Sequence, residues 1–214
     1  MTPTELVTFA LQRWNEPSGG LFSDSELYTV IWSAQLELAQ ESLCIRKVYT
    51  TPTVASQQEY AKPTNAISIK RITYEGQKLF KITDREDDAL TLNNQTVTAT
   101  GTPMYYWEWD AAIELRPVPG AVGTLKIYTY DLPQTVTAST VIDVPLRYHP
   151  KLANYMLAYM AEKDKNFQAA GNYRQLWMKD LQDAKRYEKK FLRGDAMAHM
   201  IDEELAPLTT IGVG

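Results

Sequence analysis

Residues 38–51 read LAQESLCIRKVYTT, and the period of the chain changes within them. Up to Leu43 the apolar positions follow helical spacing. After Arg46 the run Val48-Tyr49-Thr50-Thr51 is rich in β-branched and aromatic residues, which fit a pleated strand. A helical segment therefore gives way to a β segment here. Working backwards, Ser23-Asp24-Ser25-Glu26 has the spacing of a capping box, and Leu27, Ile31, Ala34 and Leu38 fall on one helix face. Further back, Thr2-Pro3-Thr4-Glu5 is a second start signal, with Pro3 suited to the first helical position. Leu6, Phe9 and Ala10 share a face and Trp14 lies near the end. Pro17 disfavours helix at Glu16.

Working forwards, Ile67, Ile69 and Ile72-Thr73-Tyr74 form a strand, Glu75-Gly76 a turn, and Lys78-Leu79-Phe80-Lys81-Ile82 the returning partner. Thr83 to Leu90 reads as a short helix capped by Thr83 and Glu86. Tyr105-Tyr106-Trp107-Glu108-Trp109, Ala112 to Arg116 and Leu125 to Tyr130 supply further strands. Alternate strand residues face opposite sides, so Tyr105, Trp107 and Trp109 share one face and are expected to form a row of the core. Leu132 to Val144 is a connection. Helical spacing then returns through Leu152, Tyr155, Met156, Tyr159 and Met160. A last helix is expected from about Ala169, burying Tyr173, Trp177, Leu181, Ala184 and Phe191, and ending at Gly194.

The fold class expected is α+β. An amphipathic bundle is built from N-terminal helices (1–46) and C-terminal helices (145–194). An antiparallel β-sandwich or barrel-like domain (47–144) is inserted between them, and 195–214 forms an extended tail.

The chain has 214 residues, with 44% hydrophobic and 22% charged, which is globular composition. The formal net charge of −4 lies entirely in Asp195, Asp202, Glu203 and Glu204, leaving a neutral body. A neutral body argues against tight, sequence-independent DNA binding. The 13 Tyr and 5 Trp suit either cross-strand pairs or a subunit interface. Cys44 is the one cysteine, so no intrachain disulfide forms. The N-terminus does not read as a signal peptide, and no apolar run approaches the ~20 residues of a membrane span. A soluble, cytoplasmically made protein is expected.

Catalytic and metal signatures are missing. His149 and His199 have no Cys or His nearby, so no zinc site is expected. Asp84, Glu86, Asp87 and Asp88 lack the glycine-turn pattern of a calcium loop and suit a helix start. No nucleophile elbow, dinucleotide turn or phosphate loop occurs, and neither cofactor nor catalytic residues are expected. Lys185-Arg186-Tyr187-Glu188-Lys189-Lys190 with Arg193 is the one basic patch. It reads first as a solvated helix end, then as a subunit contact, then as a DNA contact.

Three segments together resemble the head-to-tail adaptors of tailed bacteriophages. The first is Glu41 to Arg46 with Tyr49-Thr50-Thr51. The second is Ile69 to Leu79 with Gly101-Thr102-Pro103 and Tyr105-Tyr106. The third is Val144 to Leu152, with Tyr155-Met156, Asp164 and Tyr173 to Trp177. The resemblance covers most of residues 20 to 192. It implies a non-enzymatic virion protein of the neck, made in the bacterial host. Such adaptors form a ring, typically twelve-fold, beneath the portal and join it to a downstream tail or nozzle protein. Double-stranded DNA passes through the channel without specific binding. It also implies that residues 195–214 dock on the portal, through Asp195, Met200, Ile201, Leu205, Pro207, Leu208, Ile211 and Val213. The alternatives are a carbohydrate- or peptide-binding module that uses the aromatic β domain and, behind it, a hydrolase with unrecognised carboxylates.

Overall fold

The computed structural model describes residues 1–15, 20–83, 85–86 and 99–204, with side chains as far as 190. The chain divides into two compact units, a helical one (Met1–Cys44 with Gln134–Gly214) and a β unit (Ile45–Pro133).

In the helical unit, α1 (Pro3–Trp14) starts with the full capping box. The Glu5 N–H donates to Thr2 Oγ1 (3.2 Å), and the Thr2 N–H donates to Glu5 Oε2 (2.9 Å). Leu6, Val7, Ala10 and Leu11 are buried, while Phe9 is half-buried. Helix α2 (Asp24–Ser42) is capped by Ser23 and closes on Leu43, a left-handed residue with φ 54°. The Glu26 carboxylate, the expected other half of its capping box, has a backbone hydrogen bond at Ser23 and is shared with two further donors. The Glu26 carboxylate takes Lys163 Nζ (2.6 and 2.8 Å) and the Tyr159 hydroxyl, stronger donors than a backbone amide.

Helix α3 (His149–Lys163) follows a 3₁₀ turn at Leu146–Tyr148 and contacts α1, α2 and α4 (Phe167–Glu204). Its position explains its burial: Leu152, Ala153, Met156, Leu157, Met160 and Ala161 are all 0% exposed, with Tyr155 and Tyr159 at the rim. Helix α4 buries Ala170, Trp177, Leu181, Ala184 and Glu188. It does not stop at Gly194. The ten residues after Gly194 belong to the same helix. One glycine costs a helix only about 1 kcal/mol relative to alanine, and Ala196, Met197, Ala198 and Met200 behind it are good helix formers. The helix has 38 residues and is about 57 Å long at 1.5 Å per residue. Residues 195–204 are thus helical rather than extended, and the rest of the tail lies outside the described residues.

The connection Gln134–Val144 belongs to the helical unit, not to the β domain expected over 47–144. Val136, Ile142 and Val144 are buried. The buried Gln35 of α2 accepts the amides of Asp143 (2.9 Å) and Val144 (3.3 Å).

The β unit is a sandwich. One sheet has the order β1 (Arg46–Pro52), β10 (Thr124–Asp131), β3 (Ala66–Tyr74), β4 (Gln77–Lys78), all antiparallel. The other runs β2 (Glu59–Ala61), β8 (Ala112–Arg116), β7 (Tyr105–Trp109), β5 (Phe80–Lys81), with β5 parallel to β7. A small parallel pair joins β6 (Thr100–Gly101) to β9 (Val118–Pro119). The core lies between the sheets: Ile72, Tyr74, Leu125 and Ile127 from the first, Tyr60, Tyr106, Ile113 and Leu115 from the second.

The expected hairpin forms, with left-handed Glu75 (φ 47°) and Gly76 (φ 83°) at its turn. Its returning strand, however, is shared between the sheets. Gln77–Lys78 pair with β3, and the Leu79 N–H still donates to Ile72 O (2.9 Å). The Phe80 N–H then donates to Met104 O (2.9 Å) in the other sheet. Leu79, 1% exposed, is the corner. Of the short helix expected at Thr83–Leu90, only Thr83, Arg85 and Glu86 lie among the described residues. Glu86 Oε2 there accepts the Thr83 amide (2.7 Å) and hydroxyl (2.9 Å).

Candidate assembly interface

Among the described residues, Cys44 and His149 are tied into the packing. Cys44 is 4% exposed and burial pushes its thiol up, which suppresses the reactive thiolate. His149 is buried, and that burial lowers its pKa. The neighbouring oxygen, Val144 O at 2.9 Å, places the proton on Nε2, so Nδ1 accepts from the Met1 amine at 3.3 Å. His199 lies beyond the described side chains. Among the described residues no cluster of three or more His, Cys, Asp or Glu could hold a metal ion. Of the acidic group at 84–88 only Glu86 is described, and it caps Thr83. No helix of the described residues is long and apolar enough to cross a membrane.

The basic run of α4 divides. Lys185 faces Glu41 on α2 (2.7 Å). Glu188, read as part of a solvated face, is 2% exposed. It accepts the Arg147 guanidinium and the Tyr148 hydroxyl (2.7 Å). Burial, reinforced by Glu188, raises the Tyr148 hydroxyl to about 12. Burial opposes the charge on Arg147, but its bonds to Tyr148 and Glu188 outweigh this and hold it protonated. Its guanidinium also lies 4.7 Å from the ring centroids of Tyr148 and Tyr187. The sequence did carry the signal: Trp177, Leu181, Ala184, Glu188 continues one helical stripe.

Beside this network the α2–α4 surface is grooved. Glu37, Tyr155, Glu162, Arg174, Trp177 and Met178 line a cleft of about 230 Å³. Trp177 Nε1 donates to Glu37 (3.0 Å), and the Tyr155 ring meets Trp177 edge-on at 5.2 Å. A second groove of about 290 Å³ continues past Glu41, Gln182 and Lys185. These are shallow, ion-paired surface features without convergent reactive groups.

The aromatic strand reverses the expectation made for it. Tyr106 is the buried residue of β7, at 4%. Tyr105, Trp107 and Trp109 face outward, and Trp109 is 60% exposed. The rings form two pairs along this face. Trp107 stacks on Trp109 (5.4 Å, 26°), and Tyr105 meets the exposed Phe80 of β5 at 6.4 Å. Glu108 shares the inward parity with Tyr106, and its charge is neutralised by Lys62 (2.6 Å) and Lys81 (2.7 Å).

Of the residues expected to dock on a portal, Asp195, Met200 and Ile201 lie on the backbone of α4. Leu205, Pro207, Leu208, Ile211 and Val213 lie outside the described residues. A family model described as SU10 adaptor protein matches residues 1–199. No curated protein matches the chain.

Proposed function

Because the chain belongs to the SU10 adaptor protein family, a family of bacteriophage head-to-tail adaptors, we propose that it forms a twelve-fold ring beneath the portal and joins the portal to the tail. The protein is a structural adaptor of the virion, located in the neck and non-enzymatic. It is made in the host cytoplasm, and viral DNA passes through the ring without specific binding.

The observation that carries this reading is the family match, which runs from residue 1 through both units and into the far part of α4. Two further features support it. Among the described residues Cys44 and His149 are tied into packing, and the body before Asp195 is formally neutral, so passing DNA would not be held. Residues 195–214 act as the docking arm. Asp195, Met200 and Ile201 contact the portal from α4, and Leu205, Pro207, Leu208, Ile211 and Val213 follow.

The test is the mass of the complex formed with the portal protein of the same phage. One adaptor per portal subunit in a closed ring is the expected result. Deleting 195–214 is expected to leave the circular dichroism spectrum of a folded α+β protein while abolishing portal binding. A truncated chain that still joins portals would overturn the docking assignment. The outward aromatic row favours a second reading, a carbohydrate- or peptide-binding module. That reading takes first place if the full chain stays monomeric and ignores portals.

A further inference from the structure

The two outward faces of the β sandwich differ in chemistry. Strand register fixes which residues share each face, because directly paired residues point to the same side. On the first sheet, Val48 pairs with Tyr128 and Tyr128 with Arg71, while Lys126 lies two residues along β10. Ile127, between Tyr128 and Lys126, points into the core. Arg46, two residues before Val48, joins this outward face. Val48 is 54% exposed, Arg71 and Lys126 are exposed, and the Arg71 guanidinium lies 4.0 Å from the Tyr128 ring centroid. None of the outward positions on β1, β3, β4 and β10 is acidic.

The second sheet presents the opposite character. Its outward face carries the row Phe80, Tyr105, Trp107, Trp109, with Phe80 at 58% and Trp109 at 60% exposed. Beside the row lie Glu59 and, opposite Trp107, Glu114, which is already paired with Arg116 (3.0 Å), the residue opposite Tyr105 on the same face. A scattered exposed aromatic is ordinary, but two ring pairs on one sheet face, with Phe80 and Trp109 more than half exposed, mark an interaction surface.

We propose that these faces mate between neighbouring copies of the chain, the aromatic, carboxylate-bearing face of one copy on the cationic face of the next. Arginine and lysine are attracted to the faces of Trp and Tyr rings, and Glu59 complements Arg71 and Lys126. Aromatic residues and arginine are also the types enriched at the centre of protein interfaces. A two-fold pairing would set cations against cations or rings against rings, and would leave the other face of each copy bare. Two different faces on opposite sides of one unit instead pair head to tail, the arrangement that closes into a ring. The inference rests on the ring reading for its biological setting and adds the surfaces that form the lateral contact.

The experiment is native mass spectrometry on the full chain, alone and with the portal protein. Two variants are compared with wild type: Trp107→Ala with Trp109→Ala, and Arg71→Glu with Lys126→Glu. All four side chains lie on outward faces, so each variant is expected to keep the wild-type circular dichroism spectrum. Each alone is expected to need at least about 100-fold more protein to assemble, the loss of two centrally placed contacts. Mixed in equal amounts, the variants retain one intact interface between them, so one-to-one heterodimers form and growth stops there.

Assembly of both variants like wild type overturns the proposal, as does a mixture in which neither variant finds the other. A wild type that stays monomeric alone and on the portal also overturns it, as does an oligosaccharide that shields Trp107 and Trp109 from quenching in a monomer. The two readings fail separately. Self-assembly through these faces without portal binding removes the portal assignment and leaves the lateral contact. Portal binding with unchanged stoichiometry in both variants does the reverse.

Discussion

Replacing Glu188 with alanine tests whether the basic end of α4 is anchored from inside. The carboxylate is 2% exposed and accepts the Tyr148 hydroxyl at 2.7 Å and the Arg147 guanidinium. Tyr148 is 3% exposed, so its hydroxyl has no access to water once the acceptor is gone. Leaving a buried donor unmade costs about 1–3 kcal/mol. Arg147 differs, because its side chain is 45% exposed and its guanidinium can return to water. Its share is therefore that of a surface pair, about 0.5–1 kcal/mol. Relief from burying a carboxylate offsets part of the sum. The expected net loss is about 2–3 kcal/mol, or roughly 5–10 °C in Tm for a chain of this size. Glu188→Gln keeps an acceptor for Tyr148 and is expected to recover about half of it. The assay is thermal melting followed by circular dichroism at the helix band, on single variants and on Glu188→Ala combined with Tyr148→Phe. Removing both partners removes the orphaned hydroxyl, so the double variant is expected to be more stable than the sum of the singles by about 1 kcal/mol. A Glu188→Ala change within about 0.5 kcal/mol of wild type, the range of ordinary surface substitutions, would refute the anchoring argument.

Other consequences are smaller in scope. At Gly123 an added Cβ would lie 2.5 Å from Tyr74 Oη and 2.6 Å from Cζ. Gly123→Ala is expected to destabilise the β unit by about 1–3 kcal/mol, and Tyr74→Leu in the same chain to remove most of that added cost. Urea melts that show no change for Gly123→Ala would contradict this packing. Glu26 is held below its ordinary value by hydrogen bonds from Lys163 and Tyr159. A depressed carboxylate stabilises the fold above the unfolded value of ~4.3, and that contribution is lost as pH falls through the lower folded pKa. The Tm difference between wild type and Glu26→Gln, open at pH 7, is therefore expected to close in acid. A difference independent of pH would show that the α2–α3 tie is not ionic.

The helices were legible because their signals are local. Caps at Thr2 and Ser23 and the stripes through Leu27, Ile31, Ala34 and Leu38 depend on neighbours within a few residues, and the structure follows them. The end of α4 was not legible, since Gly194 carries the same local signal whether it stops a helix or is crossed by one. The switch of the chain between sheets at Leu79 was hidden for another reason. It depends on which distant strand, β3 or β7, offers the next carbonyl, and Ile72 and Met104 are not sequence neighbours.

The outward aromatic row shows the same limit in sharper form. In Tyr105-Tyr106-Trp107-Glu108-Trp109 one parity holds three aromatics and the other holds Tyr106 and Glu108. Hydrophobicity alone turns the first parity inward. The fold turns it outward, and every side chain of the strand changes face with that choice. What decides the parity lies elsewhere in the chain. Register with β8 sets Tyr106 opposite Leu115 and Glu108 opposite Ile113, both 0% exposed and both part of the core. Lys62 and Lys81 then supply the two cations that let Glu108 share that side, although its burial alone would disfavour the charge. Lys62 and Lys81 therefore make the inward position of Glu108 tolerable, while the packing of Tyr106 against Leu115 sets the parity. Core packing thus selects the parity through the one aromatic that fits between the sheets, and leaves the other three on the outward face, where the proposed contact between copies would use them.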